Sequence, residues 1–259
     1  MPAHAFLKIM HSWGFEMRAS FLSRRWHKWL ALVIGIQALF WMISGVYMVT
    51  MNLDYIHGDH LVKNMDEPLT AAYGDVVPYS TMLTRNPNAS RIQLVSWLGS
   101  PHYRIYSPEG TKLVNGYTGE LVSPLDEGTA RGVAEYHYAQ DGQISGVSLL
   151  TDKKDAPTEI QTRPLPLWRI DFNDAIGTSL YVSPNDGRLV TRRHDFWRMF
   201  DFVWMLHIMD YEDRSDMNNN LLRVAAFVGT ILSLTGIWLL FYSFRRKNWK
   251  ESGGSGDMS

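Results

Sequence analysis

Two long stretches without a charged side chain dominate the hydrophobic pattern of this sequence. Residues 30–51 form a run of 22 residues with Gln37 as the only strongly polar side chain, and residues 224–244 form an uncharged run of 21. At about 1.5 Å per residue, a helix of either length can cross the roughly 30 Å hydrocarbon layer of a bilayer. The first run exceeds the roughly 7 to 15 apolar residues of a cleaved export signal. The pattern predicts two transmembrane helices, the first being an uncleaved signal anchor.

The predicted spans divide the chain into six segments. The first mixes aromatic and aliphatic residues with few charges, which favours a helix lying in the cytoplasmic interface, with a flexible leader as the alternative. The last is rich in Gly and Ser, which is typical of a disordered tail. The six segments are the interfacial segment 1–29, transmembrane helix 30–51, exported domain 52–195, juxtamembrane amphipathic helix and linker 196–220, transmembrane helix 221–245, and tail 246–259.

Charge asymmetry orients the two predicted spans. Lys and Arg cluster before the first span and again directly after the second, whereas residues 52–220 carry 15 Lys and Arg against 23 Asp and Glu, a net charge of about −8. Because basic residues near the ends of a span are retained on the cytoplasmic side, both termini are predicted to be cytoplasmic. The exported segment would then be periplasmic, in a bacterial inner membrane. Its acidity argues against binding of nucleic acid.

The exported segment shows an internal repeat. Residues 101–122 and 166–190 each begin with an aromatic-Arg-Ile strand start, continue through a Gly-Thr turn, and close with GELV or GRLV. Alternating apolar and polar positions predict one β-hairpin in each repeat. A Ser-Pro-Asp start signal predicts a helix over residues 124–138, and helical spacing of apolar residues predicts another over 194–211. The sequence therefore predicts an α+β domain of two hairpin-plus-helix repeats.

Few of the polar residues form a pattern that is typical of a catalytic or metal-binding site. The sequence has no Cys, so it has neither disulfides nor thiolate metal sites. His57 and His60 lie near two aspartates, which suits a metal, but a solvated loop is the alternative interpretation. His102 and His137 are expected to have packing roles. We find no nucleophile elbow, phosphate loop or zinc-protease motif, so an enzyme is the less favoured class.

Small residues recur along one stripe of each predicted span. Helices in lipid associate by close packing at such residues, so the stripes predict packing against each other, a second copy or a partner's spans. Chance placement is the alternative, because Gly and Ala are common in spans. The residues are Ala31, Gly35, Ala38 and Gly45 on the first helix, and Gly229, Ser233 and Gly236 on the second.

Four pieces of the sequence together resemble the PepSY-associated transmembrane family. They are RRWHKWLALVIGIQALFWMISGVY, TSLYVSPNDGRLV, FWRMFDFVWMLHIMDY and LSLTGIWLLFYSF, and they amount to about a quarter of the chain. In that family a span with a basic-aromatic-His start precedes an exported PepSY-like domain. The resemblance implies a membrane α+β protein in which two transmembrane helices flank a periplasmic PepSY-like domain. Larger members have four or more spans, and some are similar to inner-membrane iron-siderophore reductases that hold haem.

The resemblance implies haem as a cofactor, although our first expectation is that the chain binds no cofactor. Neither predicted span contains a His, so the candidate axial ligands are His27 and His207, at the two borders. They are separated by about the bilayer thickness of roughly 30 Å, which prevents them from holding one haem together. A homodimer could pair either residue with its copy. In the alternative, His27 lies among lipid headgroups and His207 forms hydrogen bonds within the protein.

Three functions remain open from the sequence. The preferred one is a doubly anchored inner-membrane PepSY-like accessory subunit, which binds a larger membrane assembly that transfers electrons or handles iron or another metal. The second is a minimal dimeric haem reductase. The third is a regulator or inhibitor of a periplasmic peptidase. The expected partners are the lipid bilayer and either other inner-membrane subunits or a second copy.

Overall fold

A computed structural model of the chain describes residues 28–65, 67–69 and 74–252, with side chains up to residue 237. The chain divides into two compact units. One comprises the described parts of Met1–Tyr47 and Trp204–Ser259, and the other is Met48–Val203. The second unit contains all of the described strands, and the first contains two long apolar helices. The chain is therefore α+β, with two apolar helices that flank a sheet-bearing unit in sequence.

The first sheet is antiparallel, in the order β1 (Arg91–Trp97), β2 (Ser100–Ser107) and β3 (Gly110–Asn115). The turn between β1 and β2 contains only Leu98 and Gly99, both with positive φ, as a tight hairpin with strongly twisted strands requires. Residues 108 and 109 connect β2 to β3, with Ser107 opposite Gly110. The elements that precede this sheet are α2 (Leu53–His57), a 3-10 turn (Asp59–Leu61) and α3 (Tyr79–Arg85).

The second sheet is also antiparallel, in the order β4 (Ile144–Leu150), β5 (Leu167–Phe172), β6 (Ser179–Val182) and β7 (Leu189–Arg193). The helix between the two sheets begins after Asp126, whose carboxylate accepts a hydrogen bond from the amide of Thr129 at 2.7 Å and so caps the first turn. The other elements of this part of the chain are α4 (Glu127–His137), a 3-10 turn (Thr158–Ile160) and α5 (Asp195–Ile208).

One hydrophobic core joins both sheets to α4. Trp97 and Leu113 from the first sheet pack with Ile170 and Leu180 from the second and with Val133 of α4. The opposite face of the first sheet packs against Met82 of α3 through a second cluster. Because side chains alternate between the faces of a strand, β3 contributes to both clusters from adjacent positions.

The other unit contains most of α1 (Lys28–Thr50), the last turn of α5, and α6 (Asn220–Ser252). The candidate spans are 23 residues long in α1 and 18 residues in α6, at Asn220–Ile237. Only 6% of the most apolar window of each span is buried, which is unlike a core helix of a soluble domain. Both helices are therefore long and apolar enough to cross a membrane.

Several boundaries differ from the sequence prediction. The hairpins of residues 101–122 and 166–190 fall on β2–β3 and β5–β6, and each sheet has a further strand, β1 or β4, before its hairpin. In the second repeat GRLV continues into β7, whereas in the first repeat Leu121 forms only an isolated bridge with Val114. The backbone of α6 remains helical to Ser252, because residues 245–252 contain good helix formers. Residues 1–27 and 253–259 lie outside the described residues.

Candidate functional site

One face of α1 is less exposed than the rest of the helix. The residues of this face recur at helical spacing, and one of them, Ser44, is only 5% exposed. The face comprises Ile34, Gln37, Ala38, Trp41, Ser44 and Gly45. Apart from Tyr47 and Met48, which are half-buried, the remaining side chains of the helix are exposed and mostly apolar, including Met42, which is 69% exposed. The helix therefore presents a narrow inward face and a broad apolar outward face.

His207, in the last turn of α5, lies against this inward face. Its Nδ1 lies 2.7 Å from the hydroxyl oxygen of Ser44, and its Cε1 lies 4.0 Å from a Cβ built on Gly45. The indole N–H of Trp41 donates to the backbone carbonyl of His207 at 2.8 Å. The last carbonyls of a helix have no partner within the helix, so the Trp41 bond satisfies one of them.

The hydrogen bonds of Ser44 favour one tautomer of His207. The Ser44 hydroxyl donates to the carbonyl oxygen of Phe40, 2.6 Å away in the preceding turn. A hydroxyl has a single proton, so its oxygen then accepts a hydrogen bond from Nδ1–H of His207. This arrangement leaves a lone pair on Nε2, the nitrogen through which an imidazole can bind a metal.

The loop between α5 and α6 is organised by Asp210 and Asn219. Asp210 is 8% exposed, and its carboxylate accepts hydrogen bonds from four backbone amides of the loop, including those of Ser215 and Asp216 at 2.9 Å. These bonds, with the Asp216 amide as the largest contribution, hold the pKa of Asp210 below its usual value. Asn219 accepts from the Leu222 amide and donates to the Ile208 carbonyl, both at 2.8 Å. The loop therefore caps both helices.

The first half of α6 packs on α1 along a second narrow face. Ala225 is buried, and the side chain of Ile34 lies 3.5 Å from a Cβ built on Gly229. An apolar cavity of about 450 Å³ lies between the two helices, and Gln37 contributes to its wall. The amide Nε2 of Gln37 is buried and has no hydrogen-bond partner in the described part of the chain.

The predicted packing stripe divides into an inward and an outward set. Ala38, Gly45 and Gly229 lie on the partly buried faces of the helix pair. The other four residues are exposed, and within the described structure no neighbouring atom lies within 4 Å of a Cβ built on either of the two glycines among them. These four are Ala31, Gly35, Ser233 and Gly236. His27 lies outside the described residues, so its candidate role stays a prediction.

His57 and His60 lie in α2 and the turn that follows it. Among residues 28–65, 67–69 and 74–252, no group of three or more His, Cys, Asp or Glu side chains could hold a metal. The ring of His60 stacks on Tyr55 with the ring centroids 4.4 Å apart, and His194 meets both rings edge-on at 5.9 Å. His60 therefore belongs to an aromatic cluster with Tyr55 and His194.

His194 is a buried residue that sequence reasoning missed. It is fully buried, and its Nε2 lies 3.1 Å from the carbonyl oxygen of Ile56. Burial lowers the pKa of the imidazole, and the charge of nearby His60 acts in the same direction. His194 joins α2 to the start of α5, a contact across 138 positions that no sequence spacing indicates.

A second missed group surrounds Glu159, whose side chain is 8% exposed. Its carboxylate pairs with the guanidinium of Arg198 at 2.6 Å and accepts a hydrogen bond from the hydroxyl of Tyr181 at 2.5 Å. Arg198 also donates to Ser179 at 2.9 Å and to Asp195 at 2.9 Å. This network joins the 3-10 turn of residues 158–160 to β6 and α5.

The two remaining candidate histidines have packing contacts, as expected. His102 is buried against the ring of Trp97, with the centroids 4.8 Å apart, and burial lowers its pKa. The Nδ1 of His137 lies 3.0 Å from the carbonyl oxygen of Lys63.

Comparison with known proteins adds no assignment, since no family model, no curated protein and no solved structure matches the chain.

Proposed function

We propose that this chain is a doubly anchored inner-membrane accessory subunit, whose two spans insert in the bilayer and bind other membrane subunits. The observation that carries the proposal is the exposed apolar surface of α1 and α6. Only 6% of the most apolar window of each helix is buried, and side chains such as Phe227 are 68% exposed. A soluble protein rarely leaves apolar surface of this extent open to water. Lipid and a partner's helices would cover it.

Charge supports the orientation that we propose. Basic residues flank the ends of the two apolar runs that connect to the chain termini, and residues 52–220 between the runs have a net charge of about −8. Retention of basic flanks on the cytoplasmic side would place both termini there. The sheet-bearing unit would then be exposed in the periplasm, consistent with the family that the sequence resembles.

The outward small residues support a partner within the membrane. Ala31 and Gly35 on α1, and Ser233 and Gly236 on α6, remain exposed after the two helices have packed together. Small residues let a second backbone approach closely, which is the main source of helix association in lipid. The buried, unpaired amide of Gln37 offers a hydrogen bond to a group that enters the adjoining apolar cavity.

Co-purification from native membranes tests this proposal. We would solubilise membranes in a mild detergent, capture the chain through a C-terminal tag, and identify co-purified proteins by quantitative mass spectrometry. We expect at least one integral membrane protein at a fixed ratio, and its loss in a Gly35→Leu variant. Recovery of the wild-type chain alone, as a monomer, would contradict the proposal.

The tautomer of His207 favours a second candidate, a dimeric haem-binding reductase. Donation from Nδ1–H to Ser44 leaves the lone pair of Nε2 available, and a second-sphere hydrogen bond of this kind is usual for a metal-binding imidazole. His207 and its copy, or His27 and its copy, would supply the two axial ligands. Bound haem would supply one-electron transfer.

An absorption spectrum of the purified chain distinguishes the two candidates. A Soret band near one haem per dimer that disappears in His207→Ala or His27→Ala would support the reductase. A colourless protein after growth with excess haem would contradict it. The accessory-subunit proposal would then stand on the co-purification result.

A further inference from the structure

A groove of about 420 Å³ lies beside β1 in the sheet-bearing unit. Residues 93–98 of β1 and its turn form one wall, and Gly187, Arg188 and Leu189 at the start of β7 form part of the rest. Among the described strands, β1 pairs with β2 alone, so β1 is an edge strand. An edge strand presents backbone N–H and C=O groups that another strand can pair with.

Two guanidinium groups line this groove around one buried carboxylate. Arg104 donates through Nε to the backbone carbonyl of Asp186 at 3.1 Å, and Arg188 pairs through Nε with the Asp186 carboxylate at 2.6 Å. Asp186 is 3% exposed. The terminal nitrogens of Arg104 and Arg188 have no hydrogen-bond partner among residues 28–65, 67–69 and 74–252.

The positive charges of Arg104 and Arg188 are balanced by only one neighbouring carboxylate, that of Asp186. Burial lowers the pKa of Arg104, and the nearby positive charge of Arg188 lowers it further, whereas Asp186 raises it. Two cations therefore share one carboxylate. An added anion would relieve the repulsion between the two guanidinium groups.

Glu67 is a second carboxylate at the groove, and its oxygens already accept hydrogen bonds from neighbouring groups. Glu67 accepts hydrogen bonds from the hydroxyl of Tyr136, from the hydroxyl of Ser96 at 2.9 Å, and from the amide of Gly99 at 3.0 Å. The bond from Tyr136 makes the largest contribution to holding the pKa of Glu67 below its usual value. Glu67 fixes the segment before residue 70 against the β1–β2 turn, and no ion pair joins it to the described arginines.

We propose that this groove binds an extended peptide, which adds as a strand to the edge of β1 and places a carboxylate between Arg104 and Arg188. Strand addition supplies backbone hydrogen bonds along the edge, with affinity that depends little on sequence. The arginines supply the specificity, because guanidinium groups bind carboxylates through paired, charge-assisted hydrogen bonds. The ligand is therefore an acidic or C-terminal peptide segment. This site goes beyond the accessory role proposed above and does not depend on membrane insertion.

Fluorescence anisotropy with the full-length chain in detergent micelles tests this inference. The probe is fluorescein-Gly-Thr-Val-Thr-Val-Thr-Asp with a free C-terminus. Two modified probes accompany it, one with Asn and a C-terminal amide in place of the carboxylates, and one with alternate backbone nitrogens methylated. We expect saturable binding of the first probe and at least about tenfold weaker binding of each modified probe, since each loses charge-assisted or backbone hydrogen bonds.

Protein variants connect the binding to the groove. We expect Arg104→Gln and Arg188→Gln each to weaken binding about tenfold, and Arg131→Gln, which alters an exposed arginine of α4, to leave it unchanged. Arg188 has a side chain that is 55% exposed, and Gln in its place keeps an N–H donor for the buried Asp186 carboxylate, so its variant tests the site even where Arg104→Gln disturbs folding. Absence of binding by the wild-type chain, or equal binding of the methylated probe, would overturn the inference. Equal binding by Arg188→Gln would also overturn it.

Discussion

The Nδ1 of His207 lies 2.7 Å from the hydroxyl oxygen of Ser44, a contact that joins the end of α5 to α1 across 163 positions of the chain. His207 interrupts an otherwise apolar helical face in the sequence, and the structure gives that polar residue a partner. The same residue also accepts the indole N–H of Trp41 at its backbone carbonyl. The pair therefore fixes one end of α5 against the first long apolar helix.

Removal of the Ser44 hydroxyl should weaken the helix pair modestly. Hydrogen bonds between helices in membranes contribute on average about 0.6 kcal/mol and at most about 1.7 kcal/mol, so Ser44→Ala should lower the free energy of unfolding within that range. Reversible unfolding in mixed micelles measures the change. Ser233→Ala is the matched control, because the exposed Ser233 hydroxyl donates only within its own helix, to Gly229 at 2.8 Å. An equal loss in both variants would contradict a specific role for the Ser44 contact.

Enlargement of Gly229 should disrupt the helix pair, whereas enlargement of Gly236 should not. The side chain of Ile34 lies 3.5 Å from a Cβ built on Gly229, so the remaining atoms of a leucine would have to displace it. We expect Gly229→Leu to cost about 1 to 3 kcal/mol of unfolding free energy in micelles. Gly236→Leu is the control, since no described atom lies within 4 Å of that position. Equal stability of the two variants would show that α1 and α6 do not pack at Gly229.

Hydropathy was sufficient to locate α1 and α6, because an uncharged run of about 20 residues has few other structural explanations. Alternation and turn residues located β2, β3, β5 and β6 for a similar reason. The edge strands β1 and β4 were missed, because RIQLVSW and ISGVSLL lie outside the repeated motif that guided the prediction. Their place in the sheets depends on pairing with β2 and β5, which local sequence does not specify.

The side chains of the candidate site were less predictable than the helices. The stripe of small residues was visible in the sequence, but its division into inward and outward residues depends on the rotation of each helix about its axis. Partners such as Glu159 and Arg198 are separated by 39 positions, and their contact depends on the tertiary fold rather than on local sequence. Arg104 and Arg188 at the groove beside β1 are likewise close together because the two sheets pack against each other.

Loss of Arg198 should be the most destabilising of the polar substitutions in the sheet-bearing unit. Arg198→Ala leaves the buried carboxylate of Glu159 without its cation, and breaking a buried ion pair costs roughly 3 to 5 kcal/mol. We expect the lower end of that range, because about a third of the Arg198 side chain is exposed. Chemical denaturation followed by tryptophan fluorescence measures the loss.

An exposed ion pair provides the control for Arg198. Arg131 pairs with Glu127 at 2.9 Å on the surface of α4, with side-chain exposures of 41% and 54%. Arg131→Ala should therefore change the unfolding free energy by less than about 1 kcal/mol. A loss in Arg198→Ala no larger than in this control would contradict the structural importance of the Glu159 network.

Stability should fall as the pH is lowered through the ordinary range of histidine. Burial lowers the pKa of His194 in the folded chain below its ordinary value of 6.5, so the unfolded chain binds more protons below that pH. The stability is therefore fully present above about pH 6.5 and decreases toward the lower, folded pKa. We expect His194→Phe to reduce the slope of unfolding free energy between pH 5 and 7, with buried His102 contributing the rest. An unchanged slope would mean that His194 is not the principal group.

Single-cysteine labelling in intact cells tests the central claim, that two spans hold the sheet-bearing unit outside the cytoplasm. The sequence has no Cys, so each introduced cysteine is the only thiol of the chain. Glu109→Cys places it on an exposed turn of the first sheet, and Ser255→Cys places it in the C-terminal tail. A membrane-impermeant maleimide should label Glu109→Cys in spheroplasts, and should label Ser255→Cys only after lysis. Labelling of Ser255→Cys before lysis, or protection of Glu109→Cys, would contradict the account.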